Sequence, residues 1–185
     1  MPMHDLIATA GVAAQVILTL TFVSAAVAKI RHTGELIGVV QNYRLLPAWA
    51  VEPSARLLPW AELAVAASVP LLAPAGAIAG GLLLTLFGIA MAVNLRRGRA
   101  HIDCGCGQSA LTQRLRWGLV WRNFGLLLLV PLAALPPHAL SWSDLCNGLA
   151  FGLAIQLLLI STNSLLALGP AASRGRRIRV LGGHA

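Results

Sequence analysis

Residues 57–95, LLPWAELAVAASVPLLAPAGAIAGGLLLTLFGIAMAVNL, decide the fold. This region holds one ionisable residue, Glu62. About 20 apolar residues in a helix, each rising about 1.5 Å, cross the hydrocarbon core of a bilayer. The region is too long for one crossing. Ala73-Pro74-Ala75-Gly76, near its middle, supplies turn chemistry. The stretch therefore predicts a helical hairpin with spans over about 57–72 and 76–95. The first of these is the weaker, because Pro59, Glu62 and Pro70 interrupt it, and it can begin nearer Trp49 or tilt.

Three further runs have the same character. Residues 6–30 form one, 115–135 another (stopped by Pro136-Pro137), and 142–168 a third (ended by Gly169-Pro170). Ala26-Val27-Ala28 looks like a signal-peptide cleavage site. However, residues 1–6 contain no Lys or Arg and the run is long enough to span, so it reads as an uncleaved first helix. Across the chain 57% of residues are apolar and 11% charged, about half the charge of a soluble protein. Mean hydropathy is +0.76. The expected fold is an all-α integral membrane protein of about five transmembrane helices, a four-helix-bundle-like core plus one. Residues 1–185 then form one polytopic domain with a basic tail at 169–185. Small residues such as Ala25-Ala26 and Ala79-Gly80-Gly81 predict close helix packing.

The net charge is +8. The basic residues sit between the apolar runs or after the last, and no motif that reads nucleic acid accompanies them, so the lipid bilayer rather than nucleic acid is the expected environment. Lys29, Arg31, Arg44 and Arg56 fall in the first loop, and Arg96, Arg97, Arg99, Arg114 and Arg116 in the third. Arg122 lies just inside the next helix, and Arg174, Arg176, Arg177 and Arg179 lie in the tail. Five spans with the N-terminus periplasmic and the C-terminus cytoplasmic put all of these on the cytoplasmic side of an inner membrane.

Asp103-Cys104-Gly105-Cys106-Gly107 is the segment richest in chemistry. Two cysteines one glycine apart can close a small strained disulfide ring, which is easier to reduce and suits exchange. Arg96, Arg97 and Arg99 could favour the thiolate, and Asp103 would oppose them. Ordinary loop residues, or a metal held by His101, Asp103 and both cysteines, are the alternatives. Zinc prefers a wider Cys-x-x-Cys spacing and no second ligand pair is present, so no metal site is expected. Cys146 is a third thiol at the outer end of the last span, either a packing residue or an exchange partner. Glu62, deep in an apolar run, calls for a partner inside the bundle, with Arg122, Asn94 and Gln15 as candidates. Asn42-Tyr43-Arg44, followed by Trp49, reads as an interfacial anchor.

Taken together, these residues resemble the MauE family of methylamine utilization membrane proteins, within the broader DoxX-like group. The resemblance rests on Lys29, Asn42-Tyr43-Arg44-Leu45-Leu46-Pro47, Glu62-Leu63-Ala64, Asn94-Leu95-Arg96-Arg97-Gly98-Arg99 leading to Asp103-Cys104-Gly105-Cys106, and Arg122-Asn123. It implies a part in maturation of the periplasmic enzyme methylamine dehydrogenase, whose β-subunit holds several disulfides and a tryptophan-derived quinone cofactor. It also implies a MauD-like thioredoxin-fold partner. Cys104 and Cys106 would then form the exchanging pair of a thiol–disulfide oxidoreductase component, and Glu62 and Arg122 a polar element in the bundle. A non-catalytic assembly scaffold and a quinone-binding or small-molecule transport protein are the rival readings, and a bound quinone is the one cofactor left open. Charge places the pair towards the cytoplasm, whereas the implied substrate is periplasmic. The loop could fold back into the bundle, the pair could relay electrons across the membrane, or it could exchange with a quinone.

Overall fold

The computed structural model describes residues 3–105, 113–135 and 141–181, with side chains from 5 to 162 within those limits. It is all-α. Among the described residues seven helices follow in order: α1 (Met3–Arg31), α2 (Thr33–Tyr43), α3 (Ala48–Leu71), α4 (Ala75–Arg96), α5 (Trp117–Leu127), α6 (Val130–Ala133) and α7 (Trp142–Leu181). Asp5–Arg31, Ala75–Arg96 and Trp142–Thr162 are long and apolar enough to cross a membrane, and Trp117–Ala133 is a shorter apolar segment.

α1, α3, α4 and the α5–α6 segment close a four-helix core, each packed on the next and α6 returning to α1. Its centre is Leu18, Phe22, Val69, Ala77, Leu84 and Leu126. α7 packs on the outer side of α1 as the added fifth helix, and α2 lies on α3. The surface is strongly apolar, with Leu82, Leu86 and Ile89 of α4 and Phe151, Leu157 and Leu158 of α7 exposed. A water-soluble protein would not tolerate patches of this extent, whereas lipid solvates them. Trp49 and Trp142, each 82% exposed, open helices that start from opposite ends of the bundle, where indole rings suit the membrane–water interface.

Three boundaries differ from the sequence reading. The first loop is helical: α2 occupies 33–43, and α3 starts at Ala48 rather than near 57. The fourth run breaks between Leu127 and Val130, where Pro131 enters the first turn of α6. α7 does not stop at Gly169-Pro170 but continues to Leu181, because a proline can kink a helix without ending it.

A proline inside a helix removes the N–H owed to the carbonyl four residues earlier. In lipid that carbonyl needs another donor. α1 supplies such a donor to α3 and another to the end of α6. Thr19 Oγ1 donates to the Ala66 carbonyl at 3.4 Å, the acceptor that Pro70 cannot serve. Gln15 Nε2 donates to the Ala133 carbonyl at 3.1 Å, at the last residue of α6.

The α1–α7 seam depends on Gly148 and Gly152. A Cβ on Gly148 would lie 2.5 Å from Val12 Cβ, and one on Gly152 would lie 2.8 Å from Val16 Cβ. This is the small-xxx-small spacing that lets helix backbones approach in lipid. Hydrogen bonds from Thr9 to Asp144 and from Thr21 to Gln156, both 3.3 Å, pin the seam above and below. Ser141 and Asp144 form a reciprocal capping box that starts α7. Gly148→Leu or Gly152→Leu should therefore destabilise the detergent-solubilised protein by about 1–3 kcal/mol through overpacking. Gly125→Ala, where nothing lies within 4 Å, should leave the thermal midpoint unchanged or raise it.

Candidate functional site

Lys29 stands in the last turn of α1, where its sequence position suggests an exposed anchor. α2 and the first turns of α3 prolong the bundle beyond that point, and Lys29 is only 4% exposed. Its Nζ lies 2.6 Å from Oε1 of Glu62, which is 0% exposed in the middle of α3. The ammonium also sits 5.4 Å from the centre of the Phe87 ring of α4, within reach of a cation–π attraction. One ion pair thus ties three core helices together. The cation that Glu62 requires is Lys29, although hydropathy alone assigns that residue to the first loop. Of the partners expected there, Gln15 serves Ala133, and Asn94, fully buried, donates to the Ala90 carbonyl of its own helix at 3.1 Å.

Beside this pair is a cavity of about 380 Å³, walled by α1, α2, α3, α4 and α5 and by the cysteine loop, with α7 contributing Gln156. Most of its wall is aliphatic. The polar residues on it include Lys29, Glu62, Tyr43, Arg122 and Asn123. Glu62 and Arg122, both singled out from the sequence, therefore face one space.

Cys104 lies on the same wall. The loop after α4 turns at Gly98 (φ 73°) and returns as a short antiparallel bridge between Asp103 and Arg114. Cys104 N–H donates to the Gln113 carbonyl at 2.8 Å, and Leu115 N–H to that of Ile102 at 2.9 Å. The bridge buries Cys104, 5% exposed, in an apolar cluster with Met91, Leu115, Leu119 and Val120. Tyr43 Oη donates to the Cys104 carbonyl at 3.0 Å, so the tyrosine anchors the loop as well as the helix end. Gly105 has φ 67°, and a Cβ there would come within 3.0 Å of Val39 Cγ1. Both the backbone sign and the packing require glycine between the two cysteines. Cys106 falls outside the described residues.

The remaining candidates are dispersed. Arg96 and Arg97 are exposed at the end of α4, while Arg99 is half-buried, with one guanidinium nitrogen lacking a hydrogen-bond partner among the described residues. Cys146 is exposed near the start of α7, at the opposite end of the bundle from Cys104. Among the described residues no group of three His, Cys, Asp or Glu side chains could hold a metal ion.

The family of methylamine utilisation protein MauE matches residues 7–136. The chain belongs to the MauE family. It is 44% identical over 154 residues to methylamine utilization protein MauE of Methylorubrum extorquens, an alignment covering 81% of this chain and 83% of that one. To the Paracoccus denitrificans protein of the same name it is 39% identical over 170 residues, covering 89% and 91%. No solved structure matches significantly. MauE membership gives the chain a role in methylamine utilization at a membrane. The matched region contains Lys29, Tyr43, Glu62, both loop cysteines and Arg122, and ends before α7.

Removing one member of a buried ion pair leaves the other charge uncompensated, at a cost of about 3–5 kcal/mol, whereas an apolar pair of similar volume can be nearly neutral. Lys29→Met and Glu62→Leu should each lower the thermal midpoint in detergent sharply. The double variant should recover most of the loss. If the single losses simply add, the two residues do not act as a pair.

Proposed function

We propose that this MauE-family chain supports maturation of the methylamine dehydrogenase β-subunit by thiol–disulfide relay with a MauD-like thioredoxin-fold partner. Cys104 and Cys106 would be the exchanging pair. One observation carries the reading: Cys104 is held by Tyr43 and the 102–115 bridge on the wall of a cavity that also contains a buried ion pair. A loop with no chemical task has little reason to bring its thiol residue to an intramembrane polar site, since buried ionisable groups in lipid are costly and mark function by default. The glycine that the fold demands at 105 keeps the Cys-Gly-Cys spacing needed for a small reducible ring.

The burial of Cys104 favours a second reading, a non-catalytic scaffold in which the loop is structural. Replacing both Cys104 and Cys106 by serine separates the two. Under the relay reading, cells with the double variant at normal membrane levels accumulate β-subunit lacking its disulfides and lose dehydrogenase activity. Undiminished activity overturns the relay and leaves the scaffold.

We further propose an inner-membrane orientation with the N-terminus periplasmic and the C-terminus cytoplasmic. In support, Arg44, Arg56, Arg96, Arg97, Arg114 and Arg116 gather at the end of the bundle that carries the cysteine loop. In intact spheroplasts a membrane-impermeant maleimide should label Cys146 and spare the loop cysteines until the membrane is opened. Labelling of the loop from outside reverses the orientation.

A further inference from the structure

We propose that the cavity beside Cys104 is a quinone site, and that a lipid-soluble quinone is the electron acceptor for the cysteine pair. The inference rests on the relay reading above for its redox half and on the cavity itself for its binding half.

The volume, about 380 Å³, is within the range of small-molecule sites, roughly 300–1,000 Å³. The wall is largely aliphatic, with Leu36, Val39, Leu58, Leu84 and Leu126 among its residues, and it lies in a bundle whose outer surface is apolar, so a ligand would come from the lipid phase. Two donors on the wall point to what that ligand must carry. The Lys29 ammonium has three N–H groups, and its one hydrogen bond among the described residues goes to Glu62. Arg122 Nε is buried and has no hydrogen-bond partner among the described residues. Unmet buried donors are costly, and an acceptor would relieve them. An acyl chain offers none. A fatty-acid carboxylate would answer Arg122 but would set a second negative charge in the space that Glu62 already occupies. A neutral flat ring with carbonyl oxygens meets both donors, fits an aliphatic cavity and can react with the thiol residue on the same wall.

The step balances. Two thiols, Cys104 and Cys106, lose two electrons and two protons as one S–S bond forms. The quinone takes up both electrons and both protons at its carbonyl oxygens and leaves as hydroquinone. Lys29 and Arg122 would stabilise the negative charge that develops on those oxygens before protonation.

The test uses the full chain in lipid nanodiscs with decylubiquinone, whose fully substituted ring resists addition of thiols, and an azido-quinone photolabel. Photolabel should attach to cavity residues of α1, α2 or α4 and be displaced by decylubiquinone but not by oleate. The pre-reduced protein should convert one quinone to quinol per chain. The Cys104→Ser, Cys106→Ser variant should bind without converting. Arg122→Gln, and separately Ala90→Phe to fill the cavity, should weaken labelling roughly tenfold or more, as expected for loss of a charged hydrogen bond or of the space itself. The wild-type measurement does not depend on whether either variant folds. Displacement by oleate, or labelling only on the outer lipid-facing surface, overturns the site. Labelling in the cavity with no quinol formed overturns the electron transfer. If labelling fails while the double serine variant still blocks β-subunit maturation, the quinone inference falls and the relay stands. If labelling and quinol formation occur but that variant matures the β-subunit normally, the relay to the enzyme falls instead.

Discussion

A carboxylate in the middle of a membrane helix is the constraint around which this protein is arranged. Glu62 could not be carried into lipid alone, because desolvating an unpaired charge costs far more than one helix–helix contact returns. Lys29 meets it at 2.6 Å, and Phe87 lies against the ammonium. For Lys29 to be dry, the bundle must extend past the end of α1, and α2 with the first turns of α3 is what extends it. This extension supplies part of the cavity wall, and its Tyr43 anchors the cysteine loop.

The same logic of compensation runs through the rest of the fold. Pro70 in α3 and the end of α6 leave carbonyls without helical donors, and Thr19 and Gln15 of α1 supply them. α1 is therefore more than an apolar rod. Its few polar side chains sit where neighbouring helices lack a hydrogen bond, and its small and branched residues accept the glycines of α7. Packing and polar satisfaction converge on one central helix, which touches most of the other elements.

In this MauE-family chain the arrangement joins two features that lie far apart in sequence, an intramembrane ion pair and the loop residue Cys104. The family match ends before α7, so the four-helix core and the site, apart from the wall that α7 supplies, lie within it. α7 adds Gln156 to the cavity and covers α1.

Much was legible from composition and spacing. Long apolar runs set the all-α membrane class because lipid leaves the backbone no other partner than itself. Glu62 announced a buried partner, and Cys104-Gly105-Cys106 announced itself by its spacing. The amphipathic pattern of Leu36, Val39 and Tyr43 in α2 was also present, but eleven residues between basic groups resemble a loop when only spans are sought. What the one-dimensional pattern could not contain was the choice of Lys29 over Arg122, Asn94 and Gln15, or the inward fold of the cysteine loop. Burial depth depends on which helices surround a residue, and a hydrogen bond such as Tyr43 to Cys104 joins positions 61 apart in the chain. Hydropathy is a local property and settled the membrane class; ion pairing and cavity formation are distances between helices, and only the packed bundle decided them.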